Sequence, residues 1–209
     1  MTIKSDIWIK EQAMQNEMIV PFFDKSIKHF PDGTKIPSYG STSYGYDIRL
    51  GKNFSIFKNV KNSEHWASSN GIIDVPQYEK DIIDLLDYDT HAHVAVENLD
   101  WLVLPPHSFV LAHSEEYFNI PKTVSVVCMN KSTWARMGVM LNVTPIESSW
   151  SGYLTLEISN TTNLPVKIWT GVGVVQLQFF QGDQECSVSY SDRNGKYNNQ
   201  PKLPITARN

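Results

Sequence analysis

Residues 130–160 contain the side-chain types that chemistry on a charged small molecule requires. A polar and basic turn comes first, made of Lys131, Ser132, Thr133, Trp134, Ala135 and Arg136. Backbone N–H groups at the start of a short helix, with such side chains beside them, bind phosphate oxygens. The same turn also fits an ordinary helix with solvated charges, capped by Asn130 and ended by Gly138. The turn by itself leaves both interpretations open.

A strand-like run follows at residues 153–159, and it carries one carboxylate, Glu157. Alternation places two sets of side chains on opposite faces of such a strand: the apolar set is Leu154, Leu156 and Ile158, and the polar set is Tyr153, Thr155, Glu157 and Ser159. A half-exposed strand whose polar face meets water accounts for this pattern. If the polar face instead lines a pocket, a partly desolvated Glu157 can exchange protons with a substrate.

The histidines provide only a weak metal-binding pattern. His91 and His93 lie close to Glu97, but no cysteine or third histidine stands at metal-ligand spacing. Zinc nucleobase deaminases carry an H-x-E element followed by a P-C-x-x-C element, and this combination is absent from the sequence. We therefore expect no zinc and no metal bound by protein ligands.

Composition predicts one globular domain over residues 1–209, with 41% hydrophobic and 19% charged residues. The net charge of −4 lacks the basic footprint of a nucleic-acid-binding protein. No apolar run reaches the roughly 18 residues of a membrane span, so neither nucleic acid nor a membrane is an expected partner. Two cysteines, Cys128 and Cys186, favour buried thiols in a reducing cytoplasm over a disulfide framework.

The local patterns predict a mainly β fold. One helix is expected from Ser5 or Asp6 to about Asn16, with an apolar stripe of Ile7, Ile9, Ala13 and Met14. Short runs rich in Val, Ile, Leu and Phe, separated by turn residues, predict strands. These runs cover residues 44–50, 54–57, 72–75, 101–104, 108–113, 124–129, 139–143, 154–158, 166–169, 174–180 and 187–190. Such short, frequent strands are typical of a sandwich or jelly roll.

Three segments lack a regular pattern. Residues 31–45 are rich in Gly, Pro and Ser and predict a loop. Residues 61–99 predict a loop-rich insertion, with a short helix or turn at 81–88. Residues 192–209 are polar and predict a tail that is mobile unless a ligand or neighbour orders it.

Five motifs in one order resemble the dCTP deaminase family of the trimeric dUTPase-like superfamily. They are TSYGYDIR at 42–49, KSTWAR at 131–136, NVTPIESSWSGYLTLEISNTTNLPVKI at 142–168, GVGVVQLQFF at 171–180 and GKYNNQ at 195–200. The resemblance implies an enzyme that converts dCTP to dUTP and ammonia without zinc, feeding dUMP and dTTP synthesis. It also implies a distorted β-sandwich of the β-clip type, assembled as a homotrimer with active sites at subunit interfaces.

The resemblance also assigns roles to residues. Glu157 becomes the general acid and base that activates water for attack on carbon 4 of cytosine, and Ser132 and Arg136 assist it. The remaining substrate-binding positions are Lys131, Thr133, Trp134, Ala135, Thr155, Leu156, Gln176, Tyr190, Lys196 and Gln200. Thr155 and Leu156 would meet the base and sugar partly through backbone groups. Magnesium would arrive on the triphosphate of the nucleotide, and dTTP is a candidate inhibitor.

Two positions depart from the family pattern. Glu147 stands where dUTPases and bifunctional deaminase–diphosphatases usually have an aspartate, and Pro201 follows Gln200 where relatives often have glycine. The longer Glu147 side chain disfavours a second, pyrophosphate-releasing step because in-line attack depends on position. A bifunctional enzyme that yields dUMP, a dUTPase and a non-enzymatic nucleotide-binding module remain the alternatives. Retention of Ser132, Arg136 and Glu157 together argues against the last of these.

Overall fold

The computed structural model describes residues 2–58, 65–76 and 92–208, and within them the chain forms sixteen strands and two helices. The first eight strands are β1 (Thr2–Ile3), β2 (Ile19–Val20), β3 (Ile27–His29), β4 (Lys35–Thr42), β5 (Gly45–Arg49), β6 (Phe54–Phe57), β7 (His65–Ser68) and β8 (Gly71–Asp74). The second eight are β9 (His93–Val96), β10 (Trp101–Leu104), β11 (Phe109–Asn119), β12 (Val124–Asn130), β13 (Val139–Asn142), β14 (Ser151–Asn160), β15 (Val166–Trp169) and β16 (Gly173–Gln181). The predicted mainly β fold is confirmed.

Helix α1 (Asp6–Asn16) begins after Ser5, as predicted, and ends at Glu17, whose φ of 51° is left-handed. Ile9 and Ala13 are buried against the sheets. The predicted apolar stripe is wrong at its ends, where Ile7 and Met14 are exposed. The second helix, α2 (Ser132–Arg136), is a single short turn. Among the described residues, neither helix combines the length and apolarity that crossing a membrane requires.

The strands form three antiparallel sheets. The first has the order β1-β16-β5-β4-β3, with β12 along the other side of β16. The second, β13-β14-β11-β6-β9, also takes β2 beside β11, and the third is β15-β10-β7-β8. One apolar core is shared between them, and strand β14 contributes Leu154, Leu156 and Ile158 to it. The predicted alternation along β14 is therefore confirmed, and Thr155 and Glu157 lie on the opposite, half-buried face.

The predictions for residues 35–42 and 187–190 are wrong. Residues 35–42, expected to be loop, form strand β4, whose pairing with β3 is irregular around Pro37. An irregular stretch accommodates a proline because no ladder hydrogen bond is required of it there. Residues 187–190, expected to be a strand, form bends and the start of a turn instead. Ser189 donates backbone N–H and hydroxyl hydrogen bonds to Asp192 Oδ2, and such local bonds compete with strand pairing.

The segment 61–99 takes part in two sheets. Strands β7 and β8 form a hairpin in the third sheet, and β9 pairs with β6 in the second. Strand β8 confirms the short strand predicted at residues 72–75, whereas the strands at residues 65–68 and 93–96 were not predicted. The short helix or turn predicted at residues 81–88 lies outside the described residues.

Candidate active site

A cavity of about 540 Å³ opens beside the polar face of β14. Its walls come from separate parts of the chain and include Thr155 and Glu157 of β14, His93 of β9, Phe109 of β11, and Tyr190 and Gln200 of the C-terminal segment. A volume of this size lies within the range of small-molecule sites. Four of the side chains assigned to substrate binding, Thr155, Glu157, Tyr190 and Gln200, thus share one cavity.

Glu157 is held in place by a residue that sequence reasoning missed. Asn142 of β13 lies directly opposite Glu157 in the β13–β14 ladder. Its Nδ2 donates a hydrogen bond of 2.7 Å to Glu157 Oε2. A donor to an ionised oxygen orients the carboxylate and is stronger than a bond between neutral groups. The run of apolar residues at 139–143 predicts a strand that includes Asn142. It does not predict the register between β13 and β14 that places Asn142 opposite Glu157.

The hydroxyl of Thr155 connects β14 to the C-terminal segment. It donates to Gln200 Oε1 over 2.9 Å and accepts a hydrogen bond from the Ile205 backbone N–H over 3.0 Å. Thr155 therefore fixes both the amide of Gln200 and the path of the chain after it.

The C-terminal segment is docked along the start of β14 and the connector before it. Tyr153 N–H donates to Gln200 O over 3.1 Å, and Asn199 N–H donates to Ser151 O over 2.8 Å. Gly152 has a φ of +136°, and a Cβ there would lie 2.5 Å from Gln200 N. Only glycine permits this approach of the two backbones. The mobility predicted for residues 192–209 remains a prediction, but the structure gives this segment a defined path.

Tyr190 lies in the cavity wall, and its hydroxyl accepts a hydrogen bond of 3.0 Å from Tyr197 N–H. Lys196 lies outside the cavity lining, and its Nζ donates to Arg208 O over 3.3 Å. Glu147 lines the cavity and forms an ion pair with Arg193. The carboxylate of Glu147 therefore has a cationic partner from the C-terminal segment.

The basic turn lies apart from this cavity within one chain. Its helix α2 packs beside β13, and four of its side chains are exposed: Ser132, Thr133, Ala135 and Arg136. Trp134 is buried, and its Nε1–H donates to Gly173 O over 2.9 Å, which anchors the turn to β16. The prediction that Asn130 caps the helix is wrong. Lys131 is the N-cap residue, and Asn130 Nδ2 donates to Val139 O over 2.9 Å.

The remaining assigned residues have other surroundings. Lys131 and Gln176 both contact the buried carboxylate of Asp47 on β5. Leu156 is fully buried in the core. Its side chain therefore lies on the face of β14 opposite Thr155 and Glu157.

The titratable groups near β11 are buried and paired. Burial lowers the pKa of His113, whose Nδ1–H donates to Ser114 O over 2.8 Å while Nε2 accepts from Asn53 N–H over 3.3 Å. Residues 113–115 match the H-x-E element of zinc nucleobase deaminases. Both ring nitrogens of His113, however, are hydrogen-bonded to protein atoms. Burial also raises the pKa of Glu116, and Arg49 opposes this shift from 2.7 Å.

Among residues 2–58, 65–76 and 92–208, no group of three or more His, Cys, Asp or Glu side chains is arranged to hold a metal ion. His91 lies outside these residues, so the weak pattern of His91, His93 and Glu97 is untested.

A family model described as dCTP deaminase-like matches residues 3–182. The dCTP deaminases of Acidovorax sp. and Nitrosospira multiformis are 48% and 46% identical to this chain over 200 residues, with 96% of each chain covered. The solved 2'-deoxycytidine 5'-triphosphate deaminase of Agrobacterium tumefaciens superposes with a TM-score of 0.54 at 18% identity. That match covers 86% of this chain and 48% of the other, and it supports the fold alone.

Proposed function

Because the chain belongs to the dCTP deaminase family, we propose that it hydrolyses dCTP to dUTP and ammonia and so supplies dUMP and dTTP synthesis. The observation that carries this proposal is the carboxylate of Glu157, which lines a cavity of nucleotide-compatible size and is oriented by Asn142. The cytoplasm is the proposed location, in keeping with the free thiols of Cys128 and Cys186.

In the proposed mechanism Glu157 moves the protons. Its carboxylate accepts a proton from a water molecule, which attacks carbon 4 of the cytosine ring. The protonated Glu157 delivers this proton to ring nitrogen 3, which takes up the electron pair of its double bond to carbon 4. Glu157 then accepts the proton of the new hydroxyl on carbon 4 and passes it to the exocyclic nitrogen, so the bond between carbon 4 and that nitrogen breaks and ammonia leaves as the carbonyl of uracil forms. One carboxylate serves as base and then as acid, as general acid–base catalysis permits when the group lies within reach of both atoms.

The nucleotide is bound by two groups of residues in this proposal. Thr155, Tyr190 and Gln200 surround the base and sugar, since their side chains line the cavity with Glu157. The basic turn, with Ser132 and Arg136, serves the triphosphate and the developing charge. Magnesium enters on the triphosphate as part of the substrate.

A homotrimer brings the two groups together in this proposal. The turn is exposed and lies outside the cavity of its own chain, so a heterologous contact between copies can present it to the neighbouring Glu157. Exposed apolar side chains near the turn support such a contact: Val127, Met129, Met137 and Met140. Desolvation of these side chains would favour association.

Subunit complementation tests this arrangement. Glu157→Gln and Ser132→Ala are each expected to be inactive alone. When the two variants are co-expressed, mixed trimers contain some sites with both wild-type residues, and activity should return in part. Complete inactivity of the mixture, with mixed trimers demonstrated by mass, would show that each site is built within one chain.

The reaction itself is tested by incubating the protein with dCTP and magnesium. Ammonia and dUTP are expected, and intact dCTP at high enzyme concentration would refute the proposal. Glu157→Gln should abolish turnover but keep thermal stabilisation by dCTP, because the half-exposed carboxylate is not needed for folding. The same stabilisation assay with dTTP tests that nucleotide as an inhibitor.

Chromatography of the product distinguishes the alternatives. Release of dUMP and pyrophosphate would identify the bifunctional enzyme, and cleavage of added dUTP without deamination of dCTP would identify a dUTPase. We expect dUTP to accumulate, since Glu147 is longer than aspartate and is paired with Arg193.

A further inference from the structure

Asp47 is a buried carboxylate that joins three parts of the first sheet. It lies on β5 with 3% of its surface exposed. Its Oδ2 pairs with Lys131 Nζ, and its Oδ1 accepts a hydrogen bond of 3.3 Å from Gln176 Nε2. Lys131 Nζ also lies 3.4 Å from Ser38 Oγ. Both carboxylate oxygens are therefore used, and the ammonium has a polar partner besides Asp47.

The partners of Asp47 lead directly to the basic turn. Lys131 is the N-cap residue of α2, and its backbone N–H donates to Val174 O over 3.2 Å. Gln176 lies on β16, opposite Asp47 in the β5–β16 ladder. The side chains of Lys131 and Gln176 thus fix the first residue of the turn to the sheet, while Trp134 anchors the other side of the turn at Gly173.

The charges in this cluster are shielded from solvent. The Lys131 side chain is 13% exposed and that of Asp47 is 4% exposed. A buried ammonium that loses its counter-charge is strongly disfavoured. Without the carboxylate, the Lys131 side chain would therefore turn toward water and would no longer hold the start of α2.

We propose that Asp47 is a positioning residue for nucleotide binding. It acts through Lys131 and Gln176 to hold the basic turn where Ser132 and Arg136 meet the phosphate side of the substrate. This inference rests on the proposed deamination of dCTP. It adds a residue that neither lines the cavity nor belongs to the turn.

The test compares Asp47→Asn with the wild type in the ammonia-release assay across dCTP concentrations. The asparagine keeps the shape and an acceptor for Gln176 but removes the charge opposite Lys131. KM for dCTP should rise by about 10- to 30-fold. The accompanying fall in kcat should be smaller than this rise, because Ser132 and Arg136 are still present but the turn that carries them is held less firmly.

Glu116→Gln is the matched control. It also removes one charge of a buried ion pair, but this pair joins Glu116 of β11, in the second sheet, to Arg49 at the end of β5 and does not include Lys131. Both variants should unfold at lower temperature than the wild type, whereas only Asp47→Asn should raise KM. An unchanged KM in Asp47→Asn, or an equal rise in Glu116→Gln, would limit Asp47 to a structural role.

The double variant Asp47→Asn/Lys131→Met separates action through Lys131 from independent action. If Asp47 acts through Lys131, the KM of the double variant should equal that of Lys131→Met alone, because the effects of coupled residues are not additive. If the rise in KM of the double variant equals the product of the rises in the two single variants, the inference is overturned. The double variant leaves no unpaired ammonium, so it remains usable where Asp47→Asn alone fails to fold. A wild type that releases no ammonia would refute the proposed function, whereas an active wild type with an unaffected Asp47→Asn refutes only this inference.

Discussion

Replacing Asn142 with leucine removes the hydrogen bond that orients the Glu157 carboxylate, and we expect turnover to fall. Leucine is similar in size to asparagine but donates no hydrogen bond. Hydrogen bonds to charged groups contribute about 1.5–3 kcal/mol. Because the Asn142–Glu157 bond is exposed to solvent, water replaces part of it, and the lower value applies. About 1.4 kcal/mol corresponds to a tenfold change in rate, so kcat should decrease by about tenfold.

The assay is ammonia release at saturating dCTP and magnesium, with KM measured in parallel. KM should change little because Asn142 contacts the carboxylate and does not line the cavity. Asn142→Asp should reduce kcat further, since it places a second carboxylate beside Glu157.

Met140→Leu is the control for disturbance of strand β13. Met140 lies on the same exposed face as Asn142 but opposite Ser159. Because leucine keeps an apolar side chain of similar size at the proposed contact between copies, Met140→Leu should retain the kcat of the wild type. A wild-type kcat in Asn142→Leu, or the same decrease in Met140→Leu, would refute the assignment of Asn142 as the residue that orients Glu157.

Three further changes test the supporting structure. Gly152→Ala should raise KM because its Cβ would displace the backbone at Gln200. Gly71→Ala, also at positive φ but with open space around it, should lower stability without changing KM. Steady-state kinetics and thermal unfolding distinguish the two. Burial lowers the folded-state pKa of His113 below 6.5, so the stability it contributes is complete above about pH 6.5 and is lost as the pH falls toward the folded pKa. In denaturant unfolding, the free energy of unfolding of His113→Gln should therefore fall less steeply below about pH 6.5 than that of the wild type, by up to about 1.4 kcal/mol per pH unit. The same slope in both proteins would contradict this. Trp134→Phe removes the bond to Gly173 O and should reduce the free energy of unfolding by about 1–3 kcal/mol in the same experiment; no loss would show that the bond contributes nothing.

The features that could be predicted from the sequence are those with a local cause. Alternation along β14 is a property of successive residues, so it placed Leu154 in the core and Glu157 on the opposite face. Helix α1 likewise begins after Ser5, a preferred N-cap residue. Strand β4 was missed because Pro37 and Gly40 discourage strands locally. At Gly40, however, a Cβ would lie 2.2 Å from Lys25 O, so glycine is required by a tertiary contact.

The contacts that complete the candidate site depend on partners far apart in the chain. Asn142 is 15 residues from Glu157, and Lys131 is 84 residues from Asp47. Both contacts depend on which strands are neighbours and in which register, and local periodicity carries no information about either. The motifs therefore identified the residue types of the site but not the side chains that orient them.

Asn142 and Asp47 have parallel relations to the residues that the motifs identified. Asn142 provides a donor for the carboxylate of Glu157, and Asp47 provides a counter-charge for the ammonium of Lys131. Each lies on a regular strand, and strands hold side chains more rigidly than loops do. Within one chain, α2 packs beside β13, and β13 pairs with β14, so the strand that carries Asn142 separates the turn from Glu157. The two groups of residues are thus fixed independently, and a contact between rigid copies of the chain suffices to combine them in one site.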